Sequence, residues 1–371
     1  MVPLRVLGVV FCLLSAWYAG ERSSVVCDQV GLKLPIVINT WNFTQANLRA
    51  WQDLAADKSA LDAVESGCSQ CEIDRCDGTV GWGGSPSESG ETTLDAMIMD
   101  GDTYDVGAVA GLRRIRSAIS LARLVLERTN HTLLAGEMAT QFGLELGMKE
   151  ENLTSKESAK AHQDWLEANC QPNYWRNVAP DPRTSCGPYH LTKMDPIAEE
   201  SRKWSKMHEP KRADPERPLR VGHDTIGMIA RDSKGRFASG TSTNGLKFKI
   251  LGRVGDSPVA GAGSYAARDA GAAAATGDGD VMMRHLLSFA AIENLRRGLS
   301  AAEAAQDVIR KMVQRNGYPH PHAAVIVLSR DGTYGAACSG YEQFPFVVHA
   351  ANLGPKTLTV DCLAEPTVPM D

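Results

Sequence analysis

The chain has 371 residues, 43% hydrophobic and 22% charged, ordinary values for a globular fold with a large core. The formal net charge of −5 gives no electrostatic reason to expect nucleic acid or an anionic membrane as partner. The 34 glycines point to many tight turns and close backbone approaches.

Residues 1–20 read as a cleaved signal peptide. Arg5 supplies the positive end, Val6 to Ala19 run without a charge, and the small residues Ser15, Ala16, Ala19 and Gly20 close the segment. The run is too short to span a bilayer, and no later apolar run reaches eighteen residues, so no membrane partner is expected of the mature protein. Three sequons, at Asn42, Asn130 and Asn152, suit an exported glycoprotein. Of nine cysteines Cys12 lies in the signal peptide; the remaining eight, in an oxidising compartment, are expected to form disulfides. Cys68, Cys71 and Cys76 cluster, but a zinc site lacks a matching second ligand pair. Neither metal nor cofactor is expected.

Leu34 to Asn39 is short, apolar and β-branched, and predicts a buried strand. Helices are expected over Ala46–Ala56, Ser59–Ser66 and Arg114–Glu127, the last with Ile115, Ile119, Ala122 and Leu126 at helical spacing. Residues 187 to 222 are rich in charge and proline and read as an exposed linker. Beyond it Thr225–Arg231 and Arg236–Thr241 flank Asp232-Ser233-Lys234-Gly235 as a hairpin, and Leu246–Leu251 reads as a further strand. Asp280–Arg297 is expected as one helix closed by Gly298, and Ser300 to Glu303 as the capping box of the next. Ala323–Leu328 and Thr333–Cys338 form a second hairpin, and Phe346–Ala350 a last strand. Strands and helices come in blocks, which favours stacked antiparallel sheets with helices outside.

A threonine hydroxyl is a weak nucleophile without a base beside it. None of the nine histidines lies in a nucleophile motif. A threonine at the start of a chain solves this, because its own α-amine, of pKa about 7.7–8.0, serves as the base. Gly222-His223-Asp224-Thr225-Ile226-Gly227 lies where the linker meets the first strand of the β-rich block. A cut after Asp224 would expose Thr225, with the Asp224 carboxylate assisting an N-to-O acyl shift. Spacing alone favours a plainer reading, a strand start with a polar edge.

The motifs HDTIGM, GTSTNGLKFKILGRVGDSPVAGAGSYA and GAAAATGDGD resemble the second chain of the glycosylasparaginases, a family of N-terminal nucleophile hydrolases. Upstream, LPIVINTW, SALDAVESGC, DGTVGWGGSP, GETTLDAMIMDG, VGAVAGLRRIRSAI and NCQPNYWRNV also resemble that family, so the likeness runs from Leu34 to about Cys362. It implies the α+β class and a four-layer αββα sandwich of two stacked antiparallel sheets, split into chains 21–224 and 225–371 by autocleavage. Thr225 would be the nucleophile, Thr243 would assist it, and Thr276 with Gly277 would form the oxyanion hole. Arg253 would grip the substrate α-carboxylate and Asp256 its α-ammonium. Val254, Gly255, Asp278 and Gly279 would complete the pocket, with Trp41 and Ser85 lining or supporting it. Taken singly, GTSTNG is also a turn, RVGD a surface loop and AAAATGDGD a packing strip. Asp278 departs from the family's TGNG and adds a charge beside the site.

The resemblance further implies cleavage of N4-(β-N-acetylglucosaminyl)-L-asparagine, with a β-aspartyl ester on Thr225, an (αβ)2 assembly, and delivery to the lysosome with some secretion. It implies disulfides Cys71–Cys76, Cys170–Cys186 and Cys338–Cys362, leaving Cys27 and Cys68 over. Two alternatives stand beside it: a β-aspartyl peptidase or asparaginase of the same fold, and an uncleaved homologue that only binds.

Overall fold

A computed structural model describes residues 31–191, 225–316 and 321–363. The signal segment, Cys27, Asp224 and most of the 187–222 stretch lie outside the described residues. The first strand, β1 (Ile36–Thr40), is buried at every position. It is followed by α1 (Thr44–Ala55) and α2 (Ala60–Asp74), which begins at a Ser59–Asp62 capping box and runs two turns further than the sequence suggests. Strands β2 (Leu94–Asp100) and β3 (Val106–Leu112) were not foreseen. Helix α3 (Ala118–Arg128) starts four residues later than expected. Arg114, at φ 53°, leaves helical geometry to pair with Glu137 at 2.6 Å and Glu150 at 2.7 Å. Then come β4 (Leu133–Ala135), α4 (Gly136–Glu145), α5 (Lys156–Glu167), β5 (Val178–Ala179) and β6 (His190–Leu191). The β5–β6 pair, the Cys170–Cys186 disulfide and the Tyr189–Ser185 hydrogen bond tie down residues 187–191, so the expected linker begins too early.

After residue 225 run β7 (Ile226–Arg231), β8 (Phe237–Thr243), β9 (Ser264–Ala267) and β10 (Gly271–Gly277). The expected strand Leu246–Leu251 is absent. Its alternating pattern belongs to a loop in which Gly245 and Phe248 take positive φ, and Phe248 stacks on Trp165 at 5.0 Å. The helix expected over Asp280–Arg297 breaks at Leu286, φ 50°, into α6 (Gly279–Met282) and α7 (Leu287–Arg296). The break aims the Ser288 hydroxyl at the carbonyls of Ala262 and Gly263, both at 3.1 Å. Helix α8 (Ala301–Asn316) opens on the Ser300–Glu303 capping box. Strands β11 (Ala323–Ser329), β12 (Tyr334–Ser339) and β13 (Gln343–Ala350) follow, and an unforeseen β14 (Leu353–Asp361) ends the order.

The strands form an eight-stranded sheet, β14-β13-β1-β7-β8-β2-β3-β4, and a four-stranded sheet, β12-β11-β10-β9. Pairing is antiparallel except for β3 with β4, which run parallel across the α3 crossover and so depart from the expected all-antiparallel sheets. Helices α2 and α3 contact the large sheet, α7 and α8 contact the small one, and β10 meets β7 and β8 between the sheets. The alanine run of β10 explains the close approach. Ala272 and Ala274 face the core shared with the large sheet, Ala273 and Ala275 face the α7–α8 core, and longer side chains would hold these layers apart.

Glu72 is a buried polar strut in this framework. Its Oε1 accepts from the Ser242 hydroxyl at 2.6 Å and the Ile119 N–H at 2.9 Å, joining α2, β8 and α3, while its buried Oε2 has no hydrogen-bond partner. Burial pushes its pKa from 4.5 to about 7. Between those values the folded chain holds a proton that the unfolded chain has lost, so this contribution is full below pH 4.5 and lost as pH rises through 7. Thermal unfolding is therefore expected to show stability falling between about pH 5 and pH 8, by less in E72Q than in the parent. An unchanged pH slope in E72Q would refute this role.

Candidate active site

Four threonines gather at one end of the two sheets. Thr40 closes β1, Thr225 immediately precedes β7, Thr243 closes β8 and Thr276 lies next to the end of β10. Antiparallel pairing requires this: Ile226 faces Ser242, so continuing the register sets position 225 across from Thr243. Thr225 is fully buried. Its carbonyl accepts from the Thr40 hydroxyl at 2.7 Å, whose oxygen accepts in turn from the Gly227 N–H at 2.8 Å. Its N–H donates to Thr276 Oγ1 at 3.0 Å. The same oxygen accepts from the Trp41 indole N–H at 3.0 Å. Trp41 stands edge-on to Tyr341 and Phe344, at 5.3 and 5.1 Å, which fixes the indole.

Gly277 follows Thr276 with φ 134°, and a Cβ there would lie 2.3 Å from the His322 carbonyl. Only glycine fits this backbone between β10 and β11. Asp278, buried beyond it, begins α6, and its N–H donates to the His322 carbonyl at 2.6 Å.

A second group of polar side chains is charged. Asp256 is fully buried, and neither carboxylate oxygen has a hydrogen-bond partner. Burial pushes its pKa up to about 7 against the pull of the Arg253 guanidinium. Arg253 pairs with Asp280 at 3.3 Å, yet its Nη1 and Nη2 make no hydrogen bond. A buried guanidinium and a buried carboxylate with unused bonding capacity suit a ligand carrying both charges. Glycines let both side chains pack directly against the backbone. A Cβ on Gly279 would lie 2.6 Å from Asp256 Oδ1, and one on Gly255 would lie 3.0 Å from Arg253 Nη1. Val254 sits half-buried between them in the chain.

Two of the expected residues direct their hydrogen bonds elsewhere. The Thr243 hydroxyl donates to the Thr79 carbonyl at 3.3 Å and accepts from the Gly245 N–H at 3.0 Å, with no hydrogen bond to Thr225. Ser85 is buried one layer back, where its N–H donates to Asn244 Oδ1 at 3.3 Å. Conversely, Thr40, Asp280, Asn244, Asp95 and Lys249 line or brace the site without having been singled out. Thr40 was visible as the hydroxyl that ends an apolar run; Lys249 was hidden in an alternation that mimicked a strand.

Cys71 joins Cys76, Cys170 joins Cys186 and Cys338 joins Cys362, while Cys68 is buried and has no disulfide partner among the described residues. Asn42, Asn130 and Asn152 are exposed. Among the described residues no cluster of His, Cys, Asp and Glu is placed to hold a metal, and no helix is long and apolar enough to cross a membrane.

Paired sheets with a buried threonine at the strand ends, near a buried pair of opposite charges with unused hydrogen-bonding capacity, suit an amide hydrolase. The asparaginase family model matches residues 28–356, and the chain belongs to that family. It is 52% identical over 339 residues to the N(4)-(beta-N-acetylglucosaminyl)-L-asparaginase of Mus musculus, covering 89% of this chain and 92% of the mouse protein. To the enzyme of the same name from Rattus norvegicus it is 53% identical over 319 residues, 85% of this chain and 88% of the rat protein.

Proposed function

We propose that the protein cuts itself between Asp224 and Thr225 and then uses Thr225 to hydrolyse the bond between N-acetylglucosamine and the asparagine side chain. The observation that carries this is the double clamp on Thr225, N–H to Thr276 and carbonyl to Thr40, beside the unsatisfied Arg253–Asp256 pair. Relatives more than half identical are named for that reaction.

After the cut, the α-amine of Thr225 takes the hydroxyl proton and the oxygen attacks the side-chain amide carbonyl. The oxyanion forms against the Thr276 hydroxyl and the Gly277 N–H. The C–N bond breaks, the amino sugar leaves with the proton from the amine, and a β-aspartyl ester remains on Thr225. Water, activated by the same amine, releases aspartate. Arg253 holds the α-carboxylate and Asp256 the α-ammonium, so a residue still inside a polypeptide is refused. Gly255, Gly279, Val254 and Asp278 shape that pocket, and Trp41 fixes Thr276. Thr243 turns to the Thr225 hydroxyl once the chain is cut, and Ser85 braces the wall through Asn244.

Around this site the chain is read as a signal peptide over residues 1–20, an α chain to 224 and a β chain from 225, folded as a four-layer αββα sandwich. Two such αβ units associate, and glycans at Asn42, Asn130 and Asn152 accompany delivery to the lysosome. The test combines two measurements. Amino-terminal sequencing of the smaller chain is expected to begin Thr-Ile-Gly-Met. The cut protein is expected to prefer the glycosylated asparagine over β-aspartyl dipeptides. A single uncut band, or the reverse preference, would overturn the reading.

A further inference from the structure

Behind Arg253 lies a charged group for which the reaction above has no use. Lys249 is only 3% exposed, an unusual place for an ammonium. Its position is set by its loop. Phe248 stacks on Trp165, the Phe248 N–H donates to the Pro86 carbonyl at 2.6 Å, and the Lys249 carbonyl accepts from the Glu88 N–H at 2.9 Å. The ammonium donates to the Asn244 carbonyl at 2.6 Å. A Cβ on Gly245, at φ 73°, would lie 3.1 Å from Lys249 Nζ and 3.5 Å from Arg253 Nη1. Both cations thus pack against the same glycine.

Their surroundings are acidic. Asp95, buried on β2 opposite Thr243, interacts with both Lys249 and Arg253. Asp256 is buried beside Arg253, Asp280 pairs with it at 3.3 Å, and Asp278 stands between those two aspartates in the chain. An incoming carboxylate therefore meets several like charges, and Arg253 has competing carboxylate partners. In a site of low dielectric, a second fixed cation offsets both effects.

We propose that Lys249 is a positioning residue that balances this acidic shell, keeping Arg253 available to the substrate α-carboxylate and selecting substrates that carry it. This rests on the assignment of Arg253 to that carboxylate. Lys249 touches neither Thr225 nor Thr276, so its loss should weaken binding of the charged substrate and leave the chemical step nearly unchanged.

The test measures kcat and KM of the processed enzyme for the glycosylated asparagine and for its α-carboxamide, which lacks the negative charge. K249M and K249Q both remove the ammonium, and either one suffices if recovered as two chains. The expected result is a rise in KM of about tenfold for the carboxylate substrate, the scale of one charged hydrogen-bonding partner. kcat should change little, as should kcat/KM for the carboxamide. K249R should restore much of the loss, and K247M, at an exposed neighbour, should match the parent. Equal losses on both substrates, no loss on either, or failure of both neutral variants to assemble would overturn the proposal. R253Q run alongside separates the two ideas. If it too loses nothing specific to the carboxylate, the Arg253 assignment fails; if it does and K249M does not, only the role of Lys249 fails.

Discussion

Thr225→Ala is expected to yield one uncut chain with no measurable hydrolysis, a loss of roughly 10⁴-fold or more. The hydroxyl has two successive uses, attack on the Asp224 carbonyl and then on the substrate, and alanine can perform neither. Thr225 is fully buried, with its N–H on Thr276 and its carbonyl on Thr40, so removing a hydroxyl leaves those backbone contacts in place. The defect should therefore be chemical. Thr225→Ser keeps the oxygen and is expected to cut, with a lower rate because the lost methyl frees the χ1 rotamer. Denaturing gels and a hydrolysis assay decide this. Full processing of the alanine variant would remove Thr225 from the mechanism.

Arg253→Gln is expected to cut normally and then fail on substrate, with kcat/KM lowered by an amount equivalent to about 2–5 kcal/mol. The guanidinium carries two nitrogens without hydrogen bonds, next to a carboxylate with both oxygens in the same state. Losing its charge removes the cation directly beside Asp256 and raises the cost of ionising it further. Because the α-ammonium of the substrate requires that carboxylate to be ionised, binding by the parent should weaken as pH falls through about 7, and binding by the variant should already weaken at higher pH. The expected signature is a raised KM whose deficit grows as pH falls toward about 7 and levels off below it. A KM equal to that of the parent at every pH would show that the substrate carboxylate binds elsewhere.

Much of this molecule was legible before any coordinates. A short apolar, β-branched run marked β1, and hairpin turns marked β7, β11 and β12, because local propensity and burial agree there. The ordered motifs identified the family, and with it came Thr225, Thr243, Thr276, Arg253 and Asp256. Legibility ended where tertiary context overrides pattern. The alternating Leu246–Leu251 segment became a loop because its partners are Trp165 and Pro86 from the other half of the chain. The expected helix at 280–297 broke at Leu286 so that α7 could meet the carbonyls of Ala262 and Gly263.

Thr225 marks the same division. Its candidacy needed its place at a junction, the chemistry of a terminal amine and the family motifs around it. That Thr40 and Thr276 hold its two backbone groups, and that Lys249 stands behind Arg253, follow from strand register and from a folded-back loop. These are contacts across more than 180 residues in the case of Thr40. A one-dimensional pattern records which side chains are apolar and what each can do. Which distant groups share one buried volume is decided by how the sheets stack and the strands pair.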